Sequence, residues 1–312
     1  MLTRHEFSFS SRQGRKPPHI VDTLIAERGH RIVNHPLWPF VRPLLNPLLG
    51  YGQAVRMADR IATLSGLEAL EHLDGMLRMR LQVSGRERIP RQGGFVLVAN
   101  HPTGIADGIA LYGALKDLRT DLAIFSNRDA ARVNPRFADI LIPVEWRASE
   151  KCASRTRETL LGTNRAVEEG RAIVIFPSGR IAYRDHDRLA ERPWQHSAIA
   201  IARRFGVPIL PAHISRANSW LFHWLASWNT ELRDMTVFHE LLNKRGASFA
   251  ISFGPLIPPE FLGGDVAGVT ARLQHHCAIA LKEDPATAFS PGERQGLPLA
   301  LCPAPARTMR TS

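Results

Sequence analysis

Seven short apolar runs, each closed by turn residues, recur along this chain and predict its architecture. They lie near 79–84, 94–99, 121–126, 140–144, 172–176, 208–214 and 247–254, and are strand-length and rich in β-branched and aromatic residues. Between most of them the apolar positions return with helical period, including 153–169, 194–205 and 265–282. Strands alternating with helices predict an α/β fold: a central mixed sheet flanked by helices, with an N-terminal helical and amphipathic segment.

Upstream of the first run, Val55, Ala58, Ile61, Ala62 and Leu64 repeat at helical spacing. The stretch 36–50 mixes Trp38, Phe40 and several leucines with Arg42 and repeated prolines, a composition suited to a membrane interface. The first twenty residues and those after about Glu283 lack periodicity. Three regions are therefore expected: 1–77, loose then helical and a candidate membrane-contacting segment; 78–282, the catalytic domain; and 283–312, a disordered tail. No run of eighteen apolar residues predicts a spanning helix, and residues 1–16 lack the apolar centre of a cleavable signal.

Charge narrows the partners. A formal charge of +11 on 312 residues calls for an anionic one: an acidic membrane surface, the phosphates of an acyl carrier, or a nucleic acid. No basic run is interleaved with aromatics and no nucleic-acid module signature is present, which counts against the last. Cys152, Cys277 and Cys302 are scattered without metal-site spacing, and the adjacent His275 and His276 point about 100° apart on a helix, so no metal is expected. Ser178 lacks the first glycine of a nucleophile elbow. Trp220, Trp224 and Trp228 recur every four residues and are read as the inner face of a core helix, with a lipid-facing or acyl-tunnel wall as the alternative.

The chemistry concentrates where strands give way to loops. After the run Phe95–Ala99 come Asn100, His101, Pro102, Thr103 and Gly104, and Asp107 follows at the start of the next helical stretch. Asp107 can accept the Nδ1 proton of His101 and stabilise the imidazolium formed when Nε2 takes a proton, which makes a general base. A histidine at a strand end also caps backbone groups, and Asp favours helix starts, so the pair needs support from elsewhere. Phe125 and Arg128 end the third run, the arginine able to fork onto a phosphate or carboxylate. Phe176, Pro177, Ser178, Gly179 and Arg180 end the fifth, where small residues admit an anion and Arg180 adds charge. Pro208 and Pro211 bracket the start of the sixth and would line an apolar wall better than they pair in a sheet centre.

In this order the four blocks resemble the glycerolipid acyltransferase superfamily, over roughly residues 80 to 255. The family patterns are Asn-His with an Asp downstream, Phe-x-x-Arg, Phe-Pro-x-Gly, and an apolar Val-Pro-x-x-Pro. Two departures matter. His101 and Asp107 are separated by one residue more than usual, as in the haemolysin-like and ornithine-lipid-type branch, and the turn at Gly104 must absorb it. In the third block the usual Phe-Pro-Glu-Gly-Thr is replaced, so a carboxylate is lost at Ser178 and a cation arrives at Arg180.

The resemblance implies an O-acyltransferase. His101, oriented by Asp107, would deprotonate a lysolipid hydroxyl as it attacks the thioester of acyl carrier protein or coenzyme A, with backbone amides near Gly179 as candidate oxyanion donors. The acceptor would be lysophosphatidate or a lyso-aminolipid such as the ornithine type. Asn100, Gly104, Phe125, Arg128, residues 176–180, Pro208 and Pro211 would bind substrate. No bound cofactor is implied, and the location would be peripheral, on the cytoplasmic face of the inner membrane. The alternative is a non-catalytic basic protein that binds membrane or nucleic acid on the same scaffold.

Overall fold

The structure, a computed structural model, describes residues 18–145, 152–186 and 188–290. The expected loose start and most of the expected disordered tail lie outside these residues. All seven predicted strands are present: β1 (Arg80–Ser84), β2 (Phe95–Ala99), β3 (Leu122–Asn127), β4 (Leu141–Val144), β5 (Ala172–Ile175), β8 (Ile209–Ser215) and β9 (Ser248–Phe253). A short hairpin, β6 (Tyr183–Asp185) with β7 (Arg188–Ala190), was not predicted, because its residues are polar and exposed and show no alternation. The large sheet runs β1-β9-β8-β2-β5-β3-β4. It is mixed: β9 is antiparallel to β8, and the other neighbouring pairs are parallel.

Helices cover both faces, which is why β2 is buried at every position and reads as a continuous apolar run. Phe95, Leu97 and Ala99 point to one face and Val96 and Val98 to the other, joining separate clusters. The first cluster receives α1 (Ile20–Arg28), α4 (Tyr51–Ile61), α5 (Gly66–Leu77), α6 (Ile105–Leu115) and α12 (Val237–Leu242). The second receives α8 (Ala153–Glu168), α9 (Ser197–Phe205) and α13 (Val266–His275), the last continuing through a wide turn at His276–Ala280 into α14 (Leu281–Glu283). Short helices α2 (His30–Val33), α7 (Asp129–Val133) and α11 (Thr230–Met235) fill the remaining corners.

The N-terminal helices divide by face. In α4 the buried residues are Ala54, Met57, Ala58 and Ile61, so this helix packs on the first cluster. The proline-rich stretch forms α3 (Trp38–Leu48); Leu37 just before it and Phe40 and Leu44 on it stand 59%, 76% and 71% exposed. The expected core helix is α10 (Trp220–Trp228), but it is turned the other way. Phe222 and His223 face inward, while Trp220 and Trp228 are 71% and 75% exposed and stack on Trp224 between them. A four-residue repeat marks one face of a helix without saying which side that face takes, and here the polar His223 is the residue turned inward.

Pro211 is also placed differently from expectation, in a central strand. Its carbonyl accepts from Gly254, and the missing donor falls between the Ile209–Ile257 bridge and the first β8–β9 pair, Ala212 with Phe253. At that point β9 has ended, so no acceptor is left without its donor.

Candidate active site

The site forms at the C-terminal ends of β2 and β8, where a parallel sheet opens its crevice. Asn100 closes β2 by tying it to β8: its Nδ2 donates to Ile214 O at 2.9 Å and its Oδ1 accepts from Ile214 N at 2.7 Å. Its side chain is thus spent on joining strands. His101 follows, with its Nδ1 3.0 Å from Oδ2 of Asp107. The approach is at ion-pair distance but off the line of a straight N–H···O bond; such contacts commonly tighten only when substrate is bound.

Asp107 is fully buried and held from three further directions. Thr103 N and Gly104 N donate to Oδ2 at 2.8 and 2.9 Å, and Thr103 Oγ1 donates to Oδ1 at 2.5 Å. As the third residue of α6 it caps the helix start, so both sequence readings of Asp107 hold at once. Gly104 makes this turn possible. Its φ of +87° with ψ of −129° is open only to glycine, and a Cβ there would stand 2.7 Å from Ile181. The residue added between His101 and Asp107 is absorbed in this loop.

The imidazole lies against Phe176, ring centroids 4.3 Å apart and 24° from parallel. Its backbone is clamped as well: the His101 N–H donates to Glu191 Oε1 at 2.5 Å, and its carbonyl accepts from Ala182 N at 2.9 Å. Residues 182 and 191 flank the β6–β7 hairpin, so both ends of that hairpin close on the histidine. Glu191 also accepts from Trp194 Nε1 at 2.9 Å. Burial pushes its carboxyl up, opposed by the bonds from His101 N–H, Trp194 and the Ser178 hydroxyl. The Glu191 carboxyl also engages the hydroxyl of Ser178, the position where the resemblance led one to expect a glutamate. Sequence reading missed Glu191, which follows a hairpin that no apolar pattern marks.

The other predicted site residues are less close to the dyad. Pro177 is buried and its carbonyl accepts from Gln195 N. Ser178 donates to Arg180 O at 2.9 Å, and Gly179, at φ +62°, donates its amide to Phe176 O at 3.0 Å. That amide is committed to the turn and is not open to an oxyanion. Arg180 reaches the exposed rim, where partial desolvation and the neighbouring Arg192 and Arg233 lower its pKa and Asp234 opposes them. Arg128, at the end of β3, pairs with Glu158 on α8 at 2.5 Å, and Phe125 packs in the second cluster. Neither makes a hydrogen bond, ion pair or ring contact with His101 or Asp107 among the described residues. Pro208 sits at the far end of β8, its carbonyl accepting from Val96 N near the start of β2. It therefore lies away from the crevice, and Pro211 lies mid-strand.

The acyltransferase family model matches residues 80–215, the span that carries β1 to β8, the dyad and the Phe176 loop. Over this span, which is under half of the chain, the protein resembles the acyltransferase family. It is an enzyme of acyl transfer, and its resemblance to the glycerolipid acyltransferase superfamily holds. It is similar to two lyso-glycine lipid O-acyltransferases. That of Bacteroides thetaiotaomicron is 23% identical over 208 residues, covering 62% of this chain and 71% of the relative. That of Phocaeicola vulgatus is 23% identical over 199 residues, covering 62% and 70%. The crystal structure of the 1-acyl-sn-glycerophosphate acyltransferase PlsC from Thermotoga maritima aligns with a TM-score of 0.45 at 14% identity, covering 86% of this chain and 99% of that one. Among the described residues no group of three metal-ligating side chains occurs, and no helix is long and apolar enough to cross a membrane.

Proposed function

We propose that this acyltransferase moves a fatty acyl group from an acyl thioester, of acyl carrier protein or coenzyme A, to the hydroxyl of a lysolipid. The acceptor is a lyso-aminolipid of the lyso-glycine or lyso-ornithine kind, ahead of lysophosphatidate. The observation that carries the reaction is the 3.0 Å approach of His101 Nδ1 to the buried, three-fold hydrogen-bonded Asp107. The names of the two relatives support an aminolipid acceptor, and so does the loss of the usual third-block glutamate at Ser178.

Asp107 holds the imidazole with its proton on Nδ1, leaving Nε2 to accept the hydroxyl proton as the acceptor oxygen attacks the thioester carbonyl. An ester forms, the carbon–sulfur bond breaks, and the thiolate leaves with the proton that His101 returns. No acyl-enzyme is needed. General-base assistance of this kind contributes about 10²- to 10⁴-fold, with the remainder from holding the two substrates together. Phe176 and the Glu191 clamp fix the ring plane and backbone, so little reorganisation accompanies proton transfer.

The protein works as a peripheral enzyme on the cytoplasmic face of the inner membrane. Support comes from the exposed apolar side chains of α3, the stacked tryptophans of α10 and the excess of cations. The test uses full-length protein with radiolabelled palmitoyl-coenzyme A or palmitoyl-acyl carrier protein. The acceptors are lyso-glycine lipid, lyso-ornithine lipid and lysophosphatidate, with products resolved by thin-layer chromatography. Labelled diacyl aminolipid is the expected product; label only in phosphatidate, or in no lipid, contradicts the reading.

A further inference from the structure

Beside the dyad, the chain leaves β8 at Ser215 and runs through Arg216, Ala217 and Asn218 to Ser219, the residue that caps α10. Because Asn100 binds Ile214 through both side-chain atoms, this loop starts next to His101. Asn218 and His223 occupy the position before the cap and the fourth position of the helix. A hydrophobic staple fills those two places with apolar side chains that pack together.

Here both residues are polar, and both are more than nine-tenths buried, at 6% and 8% exposure. Neither amide atom of Asn218 and neither ring nitrogen of His223 has a hydrogen-bond partner among the described residues. Folding alone gives no reason for this, since apolar side chains of the same shape would avoid four unpaired buried atoms.

The surroundings indicate what would pair with them. Glu240 is already satisfied: Ser219 donates to it through N and Oγ at 2.9 and 2.5 Å, and Lys244 Nζ lies 3.1 Å away. The ring of Phe222 stands edge-on to His223, Arg233 of α11 lies over that same ring at 5.8 Å from its centroid, and the charges of Arg184 of β6, Glu240 and Lys244 reach the imidazole. Burial first, then the nearby cations, favours the neutral imidazole, with Glu240 opposing. Asn218 and a neutral His223 each offer a donor and an acceptor, the complement of an amide. The guanidiniums of Arg184 and of Arg233, the latter already paired with Asp234 at 2.7 Å, complement a carboxylate.

We infer that Asn218 and His223, with Arg184 and Arg233, form a headgroup site for an N-acylated amino acid: the two neutral side chains bind its amide and the two arginines its carboxylate. The inference rests on the lysolipid reading above and sharpens it. A phosphate monoester would engage the arginines but leave the four neutral atoms unpaired.

The test is calorimetric titration of the full chain with N-octanoylglycine, N-octanoylsarcosine, octanoate and octyl phosphate. The expected result is binding of N-octanoylglycine at least tenfold tighter than of the other three, because sarcosine lacks the amide N–H and octanoate lacks the amide. Asn218→Leu and His223→Phe should each abolish that preference while the melting temperature holds or rises, since unpaired polar atoms are removed. Equal binding of glycine and sarcosine probes, or preference for octyl phosphate, overturns the site without any variant having to fold. Variants that bind like wild type overturn it as well. Selective probe binding with no acylation of any lysolipid would leave the headgroup site standing and sink the transfer reading; acylation without selectivity would do the reverse.

Discussion

The dyad loop and the loop into α10 leave neighbouring strands at the same edge of the sheet, yet they distribute hydrogen bonds in opposite ways. At the dyad, Asp107 is held by Thr103 and Gly104, the His101 backbone is bonded at both its N–H and its carbonyl, and the ring rests on Phe176. In the segment past β8, Asn218 and His223 are also buried, and their side-chain polar atoms have no hydrogen-bond partner among the described residues. A group that must keep one orientation through proton transfer is fixed in advance by the protein. A group that recognises a ligand leaves its hydrogen bonds unmade until the ligand brings them.

The sharpest way to break this contrast is to loosen the tight half. Asp107→Ala removes the partner of the imidazole and the acceptor of two backbone amides and a hydroxyl. Transfer rate should fall by about 10²- to 10⁴-fold. Stability should fall by about 1–3 kcal/mol as buried donors lose their acceptor. Rate assays and urea titration read the two losses separately. Gly104→Ala attacks the same loop through the backbone. With φ at +87° and Ile181 2.7 Å from the new Cβ, about 1–3 kcal/mol of strain must be relieved by moving the turn. Thermal unfolding should show the loss and the rate should drop with it.

Another buried imidazole extends the contrast to pH. Burial, with a smaller contribution from His275, pushes His276 down to about 4, and its Nε2 has no partner among the described residues. The unfolded chain takes up this proton as pH falls below about 6.5, whereas the folded chain resists until about 4. Stability is therefore present above that window and lost through it, on the order of 2–3 kcal/mol. Urea midpoints between pH 7 and 4 should decline, and His276→Phe should flatten the decline. The smallest effect is expected outside the crevice. Replacing the exposed Trp220 and Trp228 with alanine should weaken sedimentation with anionic liposomes several-fold and move the melting temperature little; unchanged sedimentation would remove α10 from the membrane account.

How far the sequence could be read depended on whether a feature was local. All seven strands of the main sheet were visible, central ones because burial on both faces writes unbroken apolar runs such as Phe95–Ala99, and the edge strand β1 through the alternation of Leu81 and Val83 with polar neighbours. The dyad and Gly104 were visible because they lie within one short loop. Glu191 was not, since it reaches His101 from ninety positions along the chain through a hairpin with no apolar pattern. The outward turn of the α10 tryptophans was also hidden, because helical period identifies a face and not the side it takes. The crevice lining expected of Pro208 failed for a related reason: a motif fixes order along the chain, and a strand carries its first residue to the end opposite its last.

The most direct measurement is kcat of His101→Ala at saturating donor and acceptor, in protein whose melting temperature matches wild type. If the imidazole takes the acceptor's proton, kcat falls at least about a hundredfold. A value within about threefold of wild type would mean that another group does this work, and the dyad would then be no more than a helix cap.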